Sequence, residues 1–308
     1  MIAFVLVDGV GIGSRDPGRN PLARAQTLLS HFTDGAGTQL PRGGVVGAAD
    51  ACLGVEGRPQ SATGHTTLLT GVNASAHIGM HLLGFPNEAL RQLIAERSLF
   101  RDLAALGRSG TYANSYRCLY LDALGLPHRC VEAYEPPLPV PARRIRPSAS
   151  TCAVKASGQP FRTFDDLRRG EALYHDITNE QPIGVGCDVP RRAPREAAEV
   201  LLDVGRQHDL VMFEFFRTDE AGHAQDFDAA ELALAELDEF LRTVVAGLRE
   251  GDGLLVTSDH GNLEDLSIRQ HTLAQVPVLG FGTAAGAVDG IGSILDVHPA
   301  LLRLAAAR

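Results

Sequence analysis

Apolar positions along the 308-residue chain alternate between two rhythms. Short continuous apolar runs at Ile2–Val7, 111–114, 210–216, Gly253–Thr257 and 276–280 read as buried strands, because a strand covered on both faces has no polar side to show. Between them lie segments of helical spacing. Ser61–Thr70 follows a Pro-Gln loop and reads as a helix start, and 87–106 repeats Leu90, Leu93, Ile94, Leu99 and Leu103 before stopping at Gly107. Residues 195–207, 229–249 and 299–307 complete the set. Strands alternating with helices predict an α/β fold, a three-layer sandwich around a mainly parallel sheet. In such folds ligands gather at the C-terminal ends of the strands.

The rhythm fails between about 119 and 194. Proline is dense (EPPLPVPARRIRP), and arginines cluster at 143, 144 and 146 and again at 191, 192 and 195. This segment reads as an inserted cap or lid, 119–194, on a catalytic core formed by 1–118 and 195–308. Its polar stretch YHDITNE, 174–180, suggests no mechanism.

With 44% hydrophobic and 21% charged residues, the composition is that of a soluble globular protein. A net charge of −9 and a pI near 5.6 exclude a general nucleic-acid binder. No apolar run approaches the roughly 20 residues needed to cross a bilayer, and MIAFVLVDGVG reads as a first strand, not a signal peptide. Five scattered cysteines (Cys52, Cys118, Cys130, Cys152, Cys187), odd in number and without a CxxC pair, read as free thiols in a reducing cytoplasm. Lys155 is the only lysine, so cationic contacts with an anionic substrate fall to arginine. Nothing in the pattern sets an oligomeric state.

Candidate chemistry lies where the strands end. Asp8 closes FVLVDGVG, Asp219 and His223 stand in RTDEAGH, Asp259 and His260 in VTSDHGN, and His271 in QHT. Burying so many ionisable groups together is costly unless they are paired or metal-bound. Asp219 and His223 are one helical turn apart and can reach one cation. Mixed carboxylate and imidazole donors suit zinc or manganese better than calcium, with magnesium the third candidate. Two ions roughly 4 Å apart would clamp the attacking and leaving oxygens of a phosphoryl group. Ser61, at a helix N-terminus where backbone amides and the helix dipole favour a phosphate, supplies a hydroxyl that could act as nucleophile. Each residue also has a plainer reading: Asp8 as a turn residue before Gly9, Ser61 as an N-cap, Thr63 as the rival hydroxyl, His65 as helix packing, His77 and His81 as structural.

SATGHTTLLTG after a strand-end aspartate, then D-x-x-x-H, then SDHGN, then HT before a V-P-V strand, resembles the alkaline phosphatase superfamily of metalloenzymes. Within it the likeness is to the branch of cofactor-independent phosphoglycerate mutase and phosphopentomutase, and it covers about 1–90 and 205–285. The resemblance implies an alkaline phosphatase-like fold and two divalent metals. One would be held by Asp219, His223 and His271, the other by Asp8, Asp259 and His260, with Ser61 bridging to it as the phosphorylated nucleophile. The sequence departs from the branch around Ser61, and the insertion is shorter than that of phosphoglycerate mutase.

The function expected is phosphoryl transfer from a small phosphorylated substrate through a phosphoserine. Hydrolysis is favoured over a mutase outcome because a short cap excludes water less well. Arg117, Arg144 and Arg146 are the candidate substrate contacts, since a phosphate needs cationic partners beyond the metals. A sulfatase is disfavoured because Ser61-Ala-Thr-Gly-His lacks a C/S-x-P-x-R context. A metal-dependent binding protein without turnover is the non-enzyme alternative.

Overall fold

Every residue of β1, Ile2–Val7, is buried, because the strand runs through the middle of a sheet covered on both faces. The computed structural model describes residues 1–130 and 134–307. Among them the sheet has six strands: β1, β2 (Val45–Ala49), β3 (Gly110–Tyr112), β4 (Leu210–Phe215), β5 (Gly253–Thr257) and β6 (Val276–Gly282). Their order is β2-β6-β5-β1-β4-β3. β1 pairs in parallel with β4 and β5, and β3 in parallel with β4, whereas β6 runs antiparallel to both β5 and β2.

The helices are α1 (Ser61–Thr70), α2 (Ala74–Ile78), α3 (Glu88–Glu96), α4 (Leu99–Ala105), α5 (Cys118–Ala123), α6 (Ala149–Ser157), α7 (Phe164–Arg169), α8 (Glu180–Gly184), α9 (Pro194–Gly205), α10 (Arg217–Ala224), α11 (Phe227–Gly247) and α12 (Val297–Ala306). Side chains alternate across β1, so Ala3, Val5 and Val7 pack with Leu201 of α9 and Phe240 of α11. Ile2, Phe4 and Leu6 face the other way, onto Leu68 of α1, Ile94 of α3 and Leu301 of α12. The α/β three-layer sandwich expected from the strand–helix alternation is the architecture observed.

Register aligns the functional loops. Leu6 stands beside Thr257 and Val7 beside Phe215. Continuing each ladder sets Asp8 next to Asp259 on one side and next to Phe216 on the other. α10 begins immediately after Phe216 and carries Asp219 in its first turn. Three neighbouring strands therefore end in acidic residues at one edge.

Several local expectations change. The single helix expected over 87–106 is two, because Arg97 (φ −149°, ψ 118°) and Ser98 (φ −154°, ψ 156°) are extended. That break lets Leu99, Phe100 and Leu103 join Ile94 in the core. β2 escaped the pattern because it is an edge strand with four of its five residues only partly covered or exposed. Within 119–194, α6 belongs to the body: Ala149, Ala153 and Val154 share the core cluster with Leu68 and Phe4.

The cysteines also require correction. Cys118 and Cys130 form a disulfide, with Cα atoms 6.3 Å apart. Cys52, Cys152 and Cys187 are free. The two partners are 12 residues apart, a spacing with no signature of its own, and the loop after α5 brings Cys130 back to Cys118 at the start of that helix. The expectation of a reducing compartment rested on free thiols and loses that support. Among the described residues no helix is long and apolar enough to cross a membrane.

Candidate metal centre

α1 starts at Ser61 directly after Gln60, whose side chain makes no capping bond. The first-turn amides of a helix have no intrahelical acceptor, so they remain free for an anion at the Ser61 hydroxyl. Ser61 Oγ lies 3.0 Å from His260 Nε2. The same nitrogen is 3.5 Å from Asp8 Oδ1 and 3.1 Å from Asp259 Oδ2. His65, one turn along α1, sets its Nε2 3.3 Å from Asp259 Oδ2. His65 thus contacts the strand-end carboxylate Asp259 rather than only packing within α1.

Around Asp219 the second group assembles. His223 Nε2 is 3.3 Å from Asp219 Oδ2, His271 Nε2 is 3.6 Å from Asp219 Oδ1, and the two imidazole nitrogens are 3.1 Å apart. The rings of His260 and His271 stack at 3.6 Å and join the two halves. One set of potential donor atoms comes from Asp219, His260 and His271, and another from Asp8, His65 and Asp259; within each set the atoms lie within 4.8 Å of one another.

The surroundings orient these donors. His271 Nδ1 is 2.8 Å from the Pro59 carbonyl and His223 Nδ1 is 2.9 Å from the Arg269 carbonyl, which directs both Nε2 atoms inward. Asn262 Nδ2 donates to Asp219 Oδ1 at 2.6 Å. Buried Glu264 accepts from the amides of Gly11 and Asn262, each at 2.8 Å, and ties the loop after β1 to the loop after β5. Gly9 has φ +70°, and a Cβ there would stand 2.5 Å from Asp219 Oδ1, so the close approach requires glycine.

The electrostatics are those of a cation site. Burial pushes the Asp8 carboxyl well above its usual range, and the neighbouring Asp259 and Asp219 carboxylates push the same way. Burial holds His260 down to about 4, so its imidazole is neutral at pH 7. Burial also raises Asp219, but hydrogen bonds from His223 and Asn262 and the nearby His260 outweigh it and leave that carboxyl below its usual range. His223, bonded to Asp219, is raised. Asp8 Oδ1, Asp259 Oδ2, His65 Nε2 and His260 Nδ1 are buried without a hydrogen-bond partner among the described residues. Clustered buried carboxylates and unpartnered imidazoles are what a divalent cation resolves, so the residues present fit one.

All seven strand-end and α1 candidates (Asp8, Ser61, Asp219, His223, Asp259, His260, His271) are thus brought together. The three arginines have other partners or face solvent. Arg117 is tied to Glu135 and to the Pro136 carbonyl. Arg146 bonds the carbonyls of Arg143 and Ile145, and both Arg144 and Arg146 are exposed. Sequence reasoning passed over Arg58, whose Nη1 donates to the His271 carbonyl at 2.6 Å, and Arg269, whose Nε donates to the His223 carbonyl at 3.3 Å. Their signal was proximity in sequence: Arg58 is three residues before Ser61 and Arg269 two before His271.

A family model describing the metalloenzyme superfamily matches residues 1–304. The chain belongs to that superfamily. It is 36% identical over 124 residues to the 2,3-bisphosphoglycerate-independent phosphoglycerate mutase of Agrobacterium fabrum, covering 37% of this chain and 25% of that protein. The corresponding enzyme of Cereibacter sphaeroides is 33% identical over 120 residues, 36% of this chain and 24% of that one. The matches thus span about a quarter of those relatives. Among solved structures, a cold-active alkaline phosphatase of Shewanella aligns with TM-score 0.54 at 12% identity, covering 98% of this chain and 99% of its own. The alkaline phosphatase of the Antarctic bacterium TAB5 aligns with TM-score 0.52 at 12% identity, covering 99% and 97%. The fold is alkaline phosphatase-like.

Proposed function

We propose that this protein is a metal-dependent phosphoryl-transfer enzyme that acts on a small phosphomonoester through a phosphoserine at Ser61, and that hydrolysis is its outcome. The observation that carries the reading is Ser61 Oγ at the first turn of α1, 3.0 Å from His260 in a nest of buried carboxylates. Asp219, His223 and His271 would hold one divalent ion, and Asp8, Asp259, His260 and Ser61 the other. His65 lies against the Asp8–Asp259 set. When bound, manganese or zinc would neutralise the phosphoryl charge and lower the pKa of the serine hydroxyl.

The chain's own residues do the rest. The α1 amides orient a phosphoryl oxygen at Ser61, and transfer of the Ser61 proton to solvent frees Oγ for in-line attack on phosphorus. The Oγ–P bond forms as the P–O bond to the leaving alcohol breaks, and that alkoxide takes up a proton. Attack of water on the phosphoserine then returns the hydroxyl and releases phosphate. Arg58 and Arg269, whose guanidinium groups donate to the carbonyls of His271 and His223, would supply cationic contacts to a substrate anion. The parts of 119–194 outside α6 would form the cover of the site.

A mutase outcome is the second reading, favoured by the two phosphoglycerate mutases that share 33–36% identity over their matched regions. The test is hydrolysis of p-nitrophenyl phosphate with Mn²⁺ or Zn²⁺ by wild type, Ser61→Ala and Asp259→Ala, followed by a screen of phosphosugars and phosphoglycerates scored for free phosphate against isomer. Turnover that survives both substitutions refutes the mechanism. An isomer without phosphate release selects the mutase.

A further inference from the structure

Away from the catalytic rim, α5 and the loop after it gather three soft donors. Cys118 opens the helix and is 8% exposed; Cys130 and His128 return to it from the loop. The Sγ atoms of Cys118 and Cys130 and a ring nitrogen of His128 all lie within 4.8 Å of one another. His128 is oriented as a metal-bound imidazole would be. Its Nε2 is 2.9 Å from Asp122 Oδ1 on α5, while its Nδ1 is buried with no hydrogen-bond partner among the described residues. A carboxylate on one ring nitrogen with the other left bare is the outer-shell arrangement of zinc histidines. The loop is held in place: the Leu126 amide donates to the Leu121 carbonyl at 2.9 Å, and the Thr163 hydroxyl to the Arg129 carbonyl at 3.3 Å. His128 also lines a solvent-open cleft of about 1130 Å³.

The geometry points to a second, sulfur-containing metal site, Cys118–His128–Cys130, that takes one zinc ion when the disulfide is reduced. The donor set is chemically distinct from the catalytic one, which contains no cysteine. Two thiolates and an imidazole select zinc over magnesium or manganese, and three protein donors leave the fourth tetrahedral position to water. The two states interconvert by balanced steps. A small dithiol reduces the Cys118–Cys130 bond, giving two protein thiols and the oxidised dithiol. Zinc then replaces the two thiol protons, which are released. A disulfide-forming oxidant such as a diamide removes two electrons from the thiolates, restores the S–S bond, becomes a hydrazine on taking up two protons, and expels the ion. Neither step involves Ser61, so the inference stands apart from the proposed phosphoryl transfer.

The test uses the full chain, reduced with a dithiol and stripped of metal, then titrated with Co²⁺. Bound thiolates give a near-ultraviolet sulfur-to-cobalt charge-transfer band that the oxygen and nitrogen donors of the catalytic rim cannot give. The band is expected in wild type and in Cys52→Ser at about one equivalent per chain, absent in Cys118→Ser and Cys130→Ser, and weakened about tenfold in apparent affinity in His128→Gln. Oxidation of the wild type with the diamide should abolish it, and dithiol should restore it. That reversal needs no substitution and so holds even if a variant fails to fold. No band in the reduced wild type, or a band that persists in Cys118→Ser or after oxidation, overturns the site.

Discussion

The strand-end rim and the exposed arginine turn of segment 119–194 handle charge in opposite ways. At the rim, Asp8, Asp259, His260 and His271 are at most 8% exposed, and the β1–β5 ladder brings the loops that carry Asp8 and Asp259 side by side. In the insertion, Arg144 and Arg146 are exposed and bond, where they bond, to their own turn. A buried polar group must be paired or ligated, so its position reports chemistry; an exposed one is satisfied by water and reports nothing. The difference teaches that charge count along a sequence is a poor guide, while charge placed at the end of a buried strand is a good one. Cys118 and Cys130 likewise sit where no strand ladder constrains them, and they meet because the loop after α5 returns to the start of that helix.

The largest expected effect comes from the rim. Ser61→Ala should reduce phosphomonoester turnover by roughly 10³-fold or more, on the order of 4 kcal/mol in the barrier, with little change in melting temperature because Ser61 is only half-buried and caps nothing. Steady-state kinetics beside a thermal melt checks both halves; equal losses of activity and stability would break the contrast between chemistry and packing. Gly9→Ala is next. A Cβ at φ +70° costs about 1–2 kcal/mol of backbone strain and would collide with Asp219, so divalent-metal binding, followed by calorimetry, should weaken by at least tenfold, about 1.4 kcal/mol.

Smaller effects test the boundary of the site. Arg58→Ala and Arg269→Ala should each raise KM about tenfold with kcat little changed, the signature of ground-state contacts worth about 1.4 kcal/mol. His298 provides a control from outside the rim: it is 1% exposed, and burial, then Arg97, holds its imidazole down to about 4 against the opposing pull of Asp102, whose Oδ2 is 3.1 Å from its Nε2. Since the folded state binds fewer protons than an unfolded histidine near 6.5, stability is complete above pH 6.5 and declines as pH falls toward 4. His298→Gln should flatten that decline by a few degrees of melting temperature; an unchanged slope would assign it to the rim instead. Smallest of all, Arg144→Ala and Arg146→Ala should leave KM within about twofold, as exposed residues do. A large rise in either would return substrate recognition to the insertion.

Much of this protein is legible in its amino-acid order. Strand and helix alternation alone determines the α/β sandwich, because a two-sided buried sheet leaves continuous apolar runs that few other arrangements share. Asp8, Asp219 and Asp259 fall at strand ends by the same logic, and SATGHTTLLTG and SDHGN carry the likeness to the superfamily whose model matches the chain. What only tertiary structure decided were relations between segments without a shared period. His65 entered the site because α1 packs beside the loop after β5. The 87–106 helix broke because Ser98 had to turn Leu99 into the core. Arg58 and Arg269 met the loops of His271 and His223 because their guanidinium groups donate to those residues' carbonyls. Cys118 met Cys130 and His128 because the loop after α5 folded back on the helix. Periodicity encodes which face of an element is buried; it carries no information about which loops meet, since loop contacts are set by the distances between elements after they have packed.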